Sequence, residues 1–311
     1  MPNDNSAAWP ELNWPDWQPT ADTLHMLTQI VGKTRLALTP LQNHWWNVPL
    51  YVSARGLGTS PMPVPGAPGT LLEIEFDLRA HLLRFRISDG RALDLPLRAQ
   101  SVASFFREYN EALRSLGLNI PIWPMPVEVA DPIRFDLDET HASYDPAAVE
   151  RFHQILMSVD TVLKRFSTGF LGKISPVHFF WGSFDLCATR FNGRLCSAPP
   201  RPDPIQQEAY SHEVISAGFW PGNGGFGAPA FYCYAAPVPE GLGTKTISPG
   251  SFDPKLGEFI LLYEDARTAS DPAQSILSFL ESSYSAAADA AGWDRKALER
   301  PITHSPAGSP T

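Results

Sequence analysis

Two stretches set a histidine directly ahead of bulky aromatics. "TPLQNHWWNVPLYV" (39–52) places His44 before Trp45 and Trp46, and "SPVHFFWGSFDL" (175–186) places His178 before Phe179, Phe180 and Trp181. Imidazole titrates nearest neutral pH, so it can move a proton or bind a metal, and aromatic walls that exclude water shift its pKa. "YSHEV" (210–214) adds His212 and Glu213. Neighbours on a strand face opposite sides, so only one of that pair can join a given site. Asp185 stands seven positions after His178, an odd separation that predicts opposite faces unless Gly182 marks a bulge. Arg55 and Arg190 each fall near a strand end, where a guanidinium fork could hold a carboxylate or phosphate. Each of these residues also has a structural reading. The histidines could be core rings bonded to backbone, and the arginines could form salt bridges.

Signatures that would name the chemistry are missing. There is no HExxH, no His-x-Asp/Glu pair, no EF-hand loop and no CxxC, and Cys187, Cys196 and Cys233 are irregularly spaced. A divalent metal held by His44, His178 and His212 with a distant carboxylate stays open. "WGSFD" is not a nucleophile elbow. "GFWPGNGGFG" (218–227) lacks the lysine of a phosphate loop and reads as a turn or lid over a cleft. Phe219 and Trp220 in that stretch are candidates, with Trp45, Trp46, Phe180 and Trp181, to wall the cleft.

The elements that must position these residues come in a repeated order. An apolar pattern at helical steps runs over Thr23–Val31 and stops at Gly32-Lys33; Thr39-Pro40, the His44 motif and a strand ending at Arg55 follow. A longer amphipathic helix starts at the N-cap Asp145 with Pro146 behind it and ends near Gly169–Gly172; Ser175-Pro176, the His178 motif and a strand carrying Arg190 follow. Leu72–Leu78 and Leu83–Ile87 alternate as a hairpin whose outer Glu and Arg rows can pair. Each half closes on a helix, over 101–117 and 271–292. The expected fold is α+β: two pseudo-repeated helix–antiparallel-strands–helix units packed about an approximate twofold axis. The expected divisions are an arm (1–19), a first unit (20–118), a Pro-rich linker (119–145), a second unit (146–292) and a tail (293–311). Proline also marks "APPRPDP" (198–204) as an ordered loop.

With a hydrophobic fraction of 43% and 18% charged residues, the 311-residue chain can build a large core. A net charge of −9 with no Lys/Arg cluster excludes nucleic acid and anionic membrane as expected partners. No run is long and apolar enough to span a bilayer, and the N-terminus has no signal-peptide pattern, so a soluble, cytoplasmic protein is expected. The oligomeric state leaves no mark in the sequence.

"LNIPIWPMPVEVADPI", "HASYDP", "SPVHFFWGSFDLCATRF", "YSHEVISAGFWPG" and "LGEFILLYEDART" together carry a resemblance to a bacterial family catalogued as domain of unknown function 5996, over roughly Trp9 to Leu298. The resemblance implies no activity, cofactor or catalytic residue. From the residues, the expectation is an enzyme acting on a small anionic or aromatic molecule in a His/Arg/aromatic cleft, with or without a metal. In it His178 and His212 transfer protons or bind metal, and Arg190 orients an anion. The alternative is a non-catalytic protein that binds a small molecule in the same cleft.

Overall fold

The structure, a computed structural model, describes residues 7–196 and 203–300. Most of 198–204 and the end of the 293–311 tail lie outside the described residues. Among these residues there are seven helices and two antiparallel sheets. The first half runs α1 (Trp14–Leu38), β1 (Tyr51–Val52), β2 (Gly56–Gly58), β3 (Met62–Pro63), β4 (Leu71–Asp77), β5 (Leu82–Ile87), β6 (Ala92–Pro96) and α2 (Val102–Ser115). The second runs α3 (Pro146–Thr168), β7 (His178–Phe180), β8 (Asp185–Leu195), α4 (Pro204–Ala209), β9 (His212–Trp220), β10 (Ala230–Ala236), β11 (Ser251–Asp253), β12 (Glu258–Leu262), α5 (Tyr263–Arg267), α6 (Pro272–Ala290) and α7 (Arg295–Leu298).

The first sheet is ordered β1-β2-β4-β5-β6, with β3 paired to β4; the second is β7-β8-β9-β10-β12-β11. A bridge between Leu50 and Phe179 joins them, each residue's N–H donating to the other's carbonyl at 2.9 Å. One continuous apolar core draws on both halves, from Trp9 to Trp293. The β4–β5 register sets Glu73 across from Arg86 and Glu75 across from Arg84, but the ion pairs run elsewhere, from Arg84 to Asp77 and Asp94 and from Arg86 to Asp94. The two histidine motifs do not occupy matching places. His178 lies inside β7 beside the bridge residue, whereas His44 sits in a 3-10 turn (Asn43–Trp45) with φ 59°, six residues before Leu50.

Alternation in the second sheet separates two environments. Leu186, Ala188, Arg190, Ala217, Phe219 and Phe231 share the face that rests on α3 and α6. Asp185, Cys187, Thr189 and Phe191 of β8, with Val214 and Ser216 of β9 and Tyr232 and Tyr234 of β10, share the other.

Helix α3 begins where its cap predicts, the Asp145 side chain accepting from the Ala147 N–H. Helix α1 does not stop at Gly32-Lys33 but continues to Leu38. Gly32 is needed for closeness: a Cβ there would lie 2.3 Å from the Trp181 ring. Gly32→Ala should therefore cost about 1–3 kcal/mol through overpacking, although alanine favours helix elsewhere by up to about 1 kcal/mol. Urea denaturation checks the sign.

Candidate functional site

A cavity of about 520 Å³ opens on the second face of this sheet, within the size range of small-molecule sites. Phe180, Asp185, Thr189, Ser216, Tyr232 and Tyr234 supply its floor, and Trp45, Trp46 and Trp181 supply walls. Glu128 reaches it from the stretch before α3, and Asp203, Ile205 and Tyr210 from α4 and its flanks.

One stripe of α1 places the acidic end. His25, Gln29, Gly32 and Leu36 recur at helical steps and so share a face. The His25 Nε2–H donates to the Gly182 carbonyl at 2.9 Å, holding the turn between β7 and β8. The buried Gln29 amide grips Val127 at both polar atoms: its Nε2 donates to the Val127 carbonyl at 2.8 Å, and its Oε1 accepts from the Val127 N–H at 2.8 Å. That seats the next residue, Glu128, against Gly182, where a Cβ would lie 2.8 Å from Glu128 Oε1. The Trp181 indole N–H donates to the Val48 carbonyl at 2.9 Å, fixing the wall between them.

Asp185 is 5% exposed and accepts hydrogen bonds from Ser183 Oγ and Tyr232 Oη. The tyrosine reaches it because Gly218, on the strand between them, has no side chain: a Cβ there would lie 2.6 Å from the Tyr232 hydroxyl. Burial raises the Asp185 carboxyl above its ordinary range, and the two donors only partly oppose this. Glu128 is open to solvent but crowded by surrounding protein. That crowding, then the charges of Asp185 and Asp203, push its carboxyl up to about 7. Burial raises the Cys187 thiol, which rules out a ready thiolate nucleophile at neutral pH. The hydroxyls are paired, Thr189 with Ser216 at 2.9 Å and Tyr210 with Tyr234 at 2.8 Å.

At the opposite end, His44 Nδ1–H donates to the Glu208 carbonyl at 3.2 Å, and Nε2 accepts from the Lys173 ammonium at 2.7 Å. Burial, and then Lys173, hold this imidazole below its usual value. The Lys173 nitrogen lies 5.0 Å from the Trp46 ring.

Several sequence-derived candidates gather here and others do not. His44, Trp45, Trp46, Phe180, Trp181 and Asp185 line the cavity. Asp185 shares a face with His178, against the odd-spacing expectation, because a hairpin turn and not a continuous strand separates them; Phe180 pairs directly with Asp185. His178 lies behind the wall, fully buried, its ring 5.9 Å from Trp46 and 5.6 Å from Tyr51. Among the described residues neither ring nitrogen has a hydrogen-bond partner, and burial, then the Arg35 charge, lower its pKa to about 4. It is neutral at pH 7 and reaches neither His212 nor Arg190 by hydrogen bond. His212 bonds Ser211 Oγ at 3.0 Å and lies 5.7 Å, ring to ring, from His44.

Arg190, expected at the cleft, lies away from the cavity. An even position on β8 turns it to the helix face, buried between Phe166 (3.5 Å) and Tyr284 (4.1 Å), with Nη2 donating to the Phe166 carbonyl at 2.5 Å. Arg55 pairs with Asp77 at 2.7 Å on the first sheet. Glu213 faces away from the cavity and pairs with Arg194 at 2.7 Å. Phe219 packs in the helix-side core at 5.2 Å from Phe231. Trp220 shares the cavity's sheet face but stacks on Phe226 at 5.6 Å, outside the lining. The 218–227 stretch is a strand end as far as Trp220, then a loop pinned to α1: a Cβ on Gly222 would lie 2.3 Å from Trp14. Among the described residues no group of three or more His, Cys, Asp or Glu is arranged to hold a metal ion, so the trio His44, His178 and His212 is not a ligand set. Glu128, Tyr210, Tyr232 and Tyr234 went unrecognised in the sequence.

The chain belongs to the family of unknown function DUF5996, whose model matches residues 9–300. No curated protein and no solved structure matches it. Among the described residues no helix is long and apolar enough to cross a membrane.

Among the described residues the His178 ring makes no hydrogen bond to lose. His178→Leu should therefore change stability by less than about 1 kcal/mol or raise it, and leave the cavity's binding intact. A loss of several kcal/mol on chemical denaturation would give this ring a polar role.

Proposed function

We propose that the protein is an enzyme acting on a small molecule held in this cavity, with Glu128 as the proton-transfer group. The observation that carries the reading is the Glu128 carboxyl. It stands at the cavity with no hydrogen bond or ion pair among the described residues, and its pKa of about 7 suits both donation and acceptance at neutral pH. Asp185, held by Ser183 and Tyr232, would orient a polar group of the substrate and sustain the raised pKa of Glu128. The aromatic walls would exclude water. The expectation of an aromatic substrate fits these walls; an anionic one fits less well, since Arg55 and Arg190 lie elsewhere.

A non-catalytic binding protein is the second reading, favoured by the extent of aromatic wall relative to the few groups that can react. The like order of helix, strand meander and helix in both halves, with β1 and β7 meeting at the Leu50–Phe179 bridge, fits descent by duplication about a local twofold axis. Free Cys187, Cys196 and Cys233 fit a reducing, cytoplasmic setting.

Incubating the protein with a metabolite extract and following consumption by mass spectrometry tests the proposal. Wild type should deplete a compound class that Glu128→Gln depletes about 10²–10⁴-fold more slowly, while both retain it on filtration. Retention without consumption by wild type would establish the binding protein instead.

A further inference from the structure

Resting on the reading of this cavity as the ligand site, we infer that its ligand is a small organic cation: a protonated amine on an aromatic or alkyl frame. The described lining residues include three carboxylates, Glu128, Asp185 and Asp203, and no lysine or arginine. An anion entering would meet like charge from the stretch before α3, from β8 and from the start of α4. A cation would meet Glu128, a carboxylate without an ion pair among the described residues, and the faces of indole and phenyl rings, whose quadrupoles attract positive charge.

The walls already take cations from outside the cavity. Lys33 Nζ lies 5.7 Å from the Trp181 ring, and Lys173 Nζ lies 5.0 Å from Trp46 and 5.1 Å from Phe191. Neither lysine is part of the lining, and Lys173 is bonded to His44. The geometry therefore combines rings that accept cations with a carboxylate that has none among the described residues. Asp185 differs from Glu128 in having its donors supplied within the protein, by Ser183 and Tyr232. The ammonium is accordingly placed at Glu128, and the carbon frame toward Trp45 and Trp46.

Three probes of matched shape test this: phenethylammonium, 2-phenylethanol and phenylacetate, titrated calorimetrically into the full-length protein at pH 8 and pH 6. The amine should bind at least tenfold more tightly than the alcohol at pH 8, and phenylacetate most weakly. The amine stays protonated at both pH values, so its binding should weaken several-fold at pH 6. There the Glu128 carboxyl, raised to about 7 by its surroundings and by Asp185 and Asp203, takes up a proton. Glu128→Gln should erase both the pH effect and most of the preference for the amine, with its melting temperature confirming that it folds. Equal binding of all three probes would overturn the cation inference and leave the cavity reading standing, as would tighter binding of phenylacetate. Absence of binding by every probe would overturn the inference and count against the cavity reading as well.

Discussion

A single face of α1 governs the rest of the site. His25, Gln29, Gly32 and Leu36 each meet a different segment: the Gly182 carbonyl, both polar atoms of Val127, the Trp181 ring and the cavity itself. The constraint is closeness. Gly32 lets an indole rest on the helix backbone, and that indole reaches on to the Val48 carbonyl. A helix one side chain farther out would leave the buried Gln29 and Val127 polar atoms unpaired, each at a cost of about 1–3 kcal/mol. The segment bearing Glu128 has no regular secondary structure of its own. Its placement therefore depends on that helix.

The carboxyls set the electrostatics. Asp185 is held in a nearly dry place, and Glu128 stands in the field that Asp185 helps to create. Both are raised, so the folded chain binds these protons more tightly than the unfolded chain does. Their contribution to stability is complete below the ordinary carboxylate range. It is lost as pH rises, for Glu128 through about 7. The two raised carboxyls thus come at some expense to folding near neutral pH.

Local chemistry was legible in the sequence where it acts locally. The Asp145-Pro146 cap and the alternation of β4 and β5 needed only near neighbours, and the runs at Trp45-Trp46 and Phe180-Trp181 stood out by residue type alone. Contacts between distant segments were not legible. Gly32-Lys33 imitates a helix end because the ring that requires glycine is Trp181, far along the chain. His178 stands out by its type, yet burial keeps it neutral, and among the described residues its nitrogens make no hydrogen bond. For Arg190 the deciding fact is strand parity, which sends it to the helices and shows only once the register of β8 is known. Glu128 was hidden in a proline-rich stretch read as linker, and Tyr232 reaches Asp185 only across Gly218 of the intervening strand.

The most direct test of this picture is the titration of the Glu128 side chain, followed by carboxyl carbon NMR in wild type and in Asp185→Asn. Wild type is expected to titrate near pH 7. The variant should move part of the way toward the ordinary carboxylate range, since it removes the Asp185 charge and leaves the crowding in place. A Glu128 carboxyl that titrates in the ordinary range in both proteins would contradict the coupled acidic site.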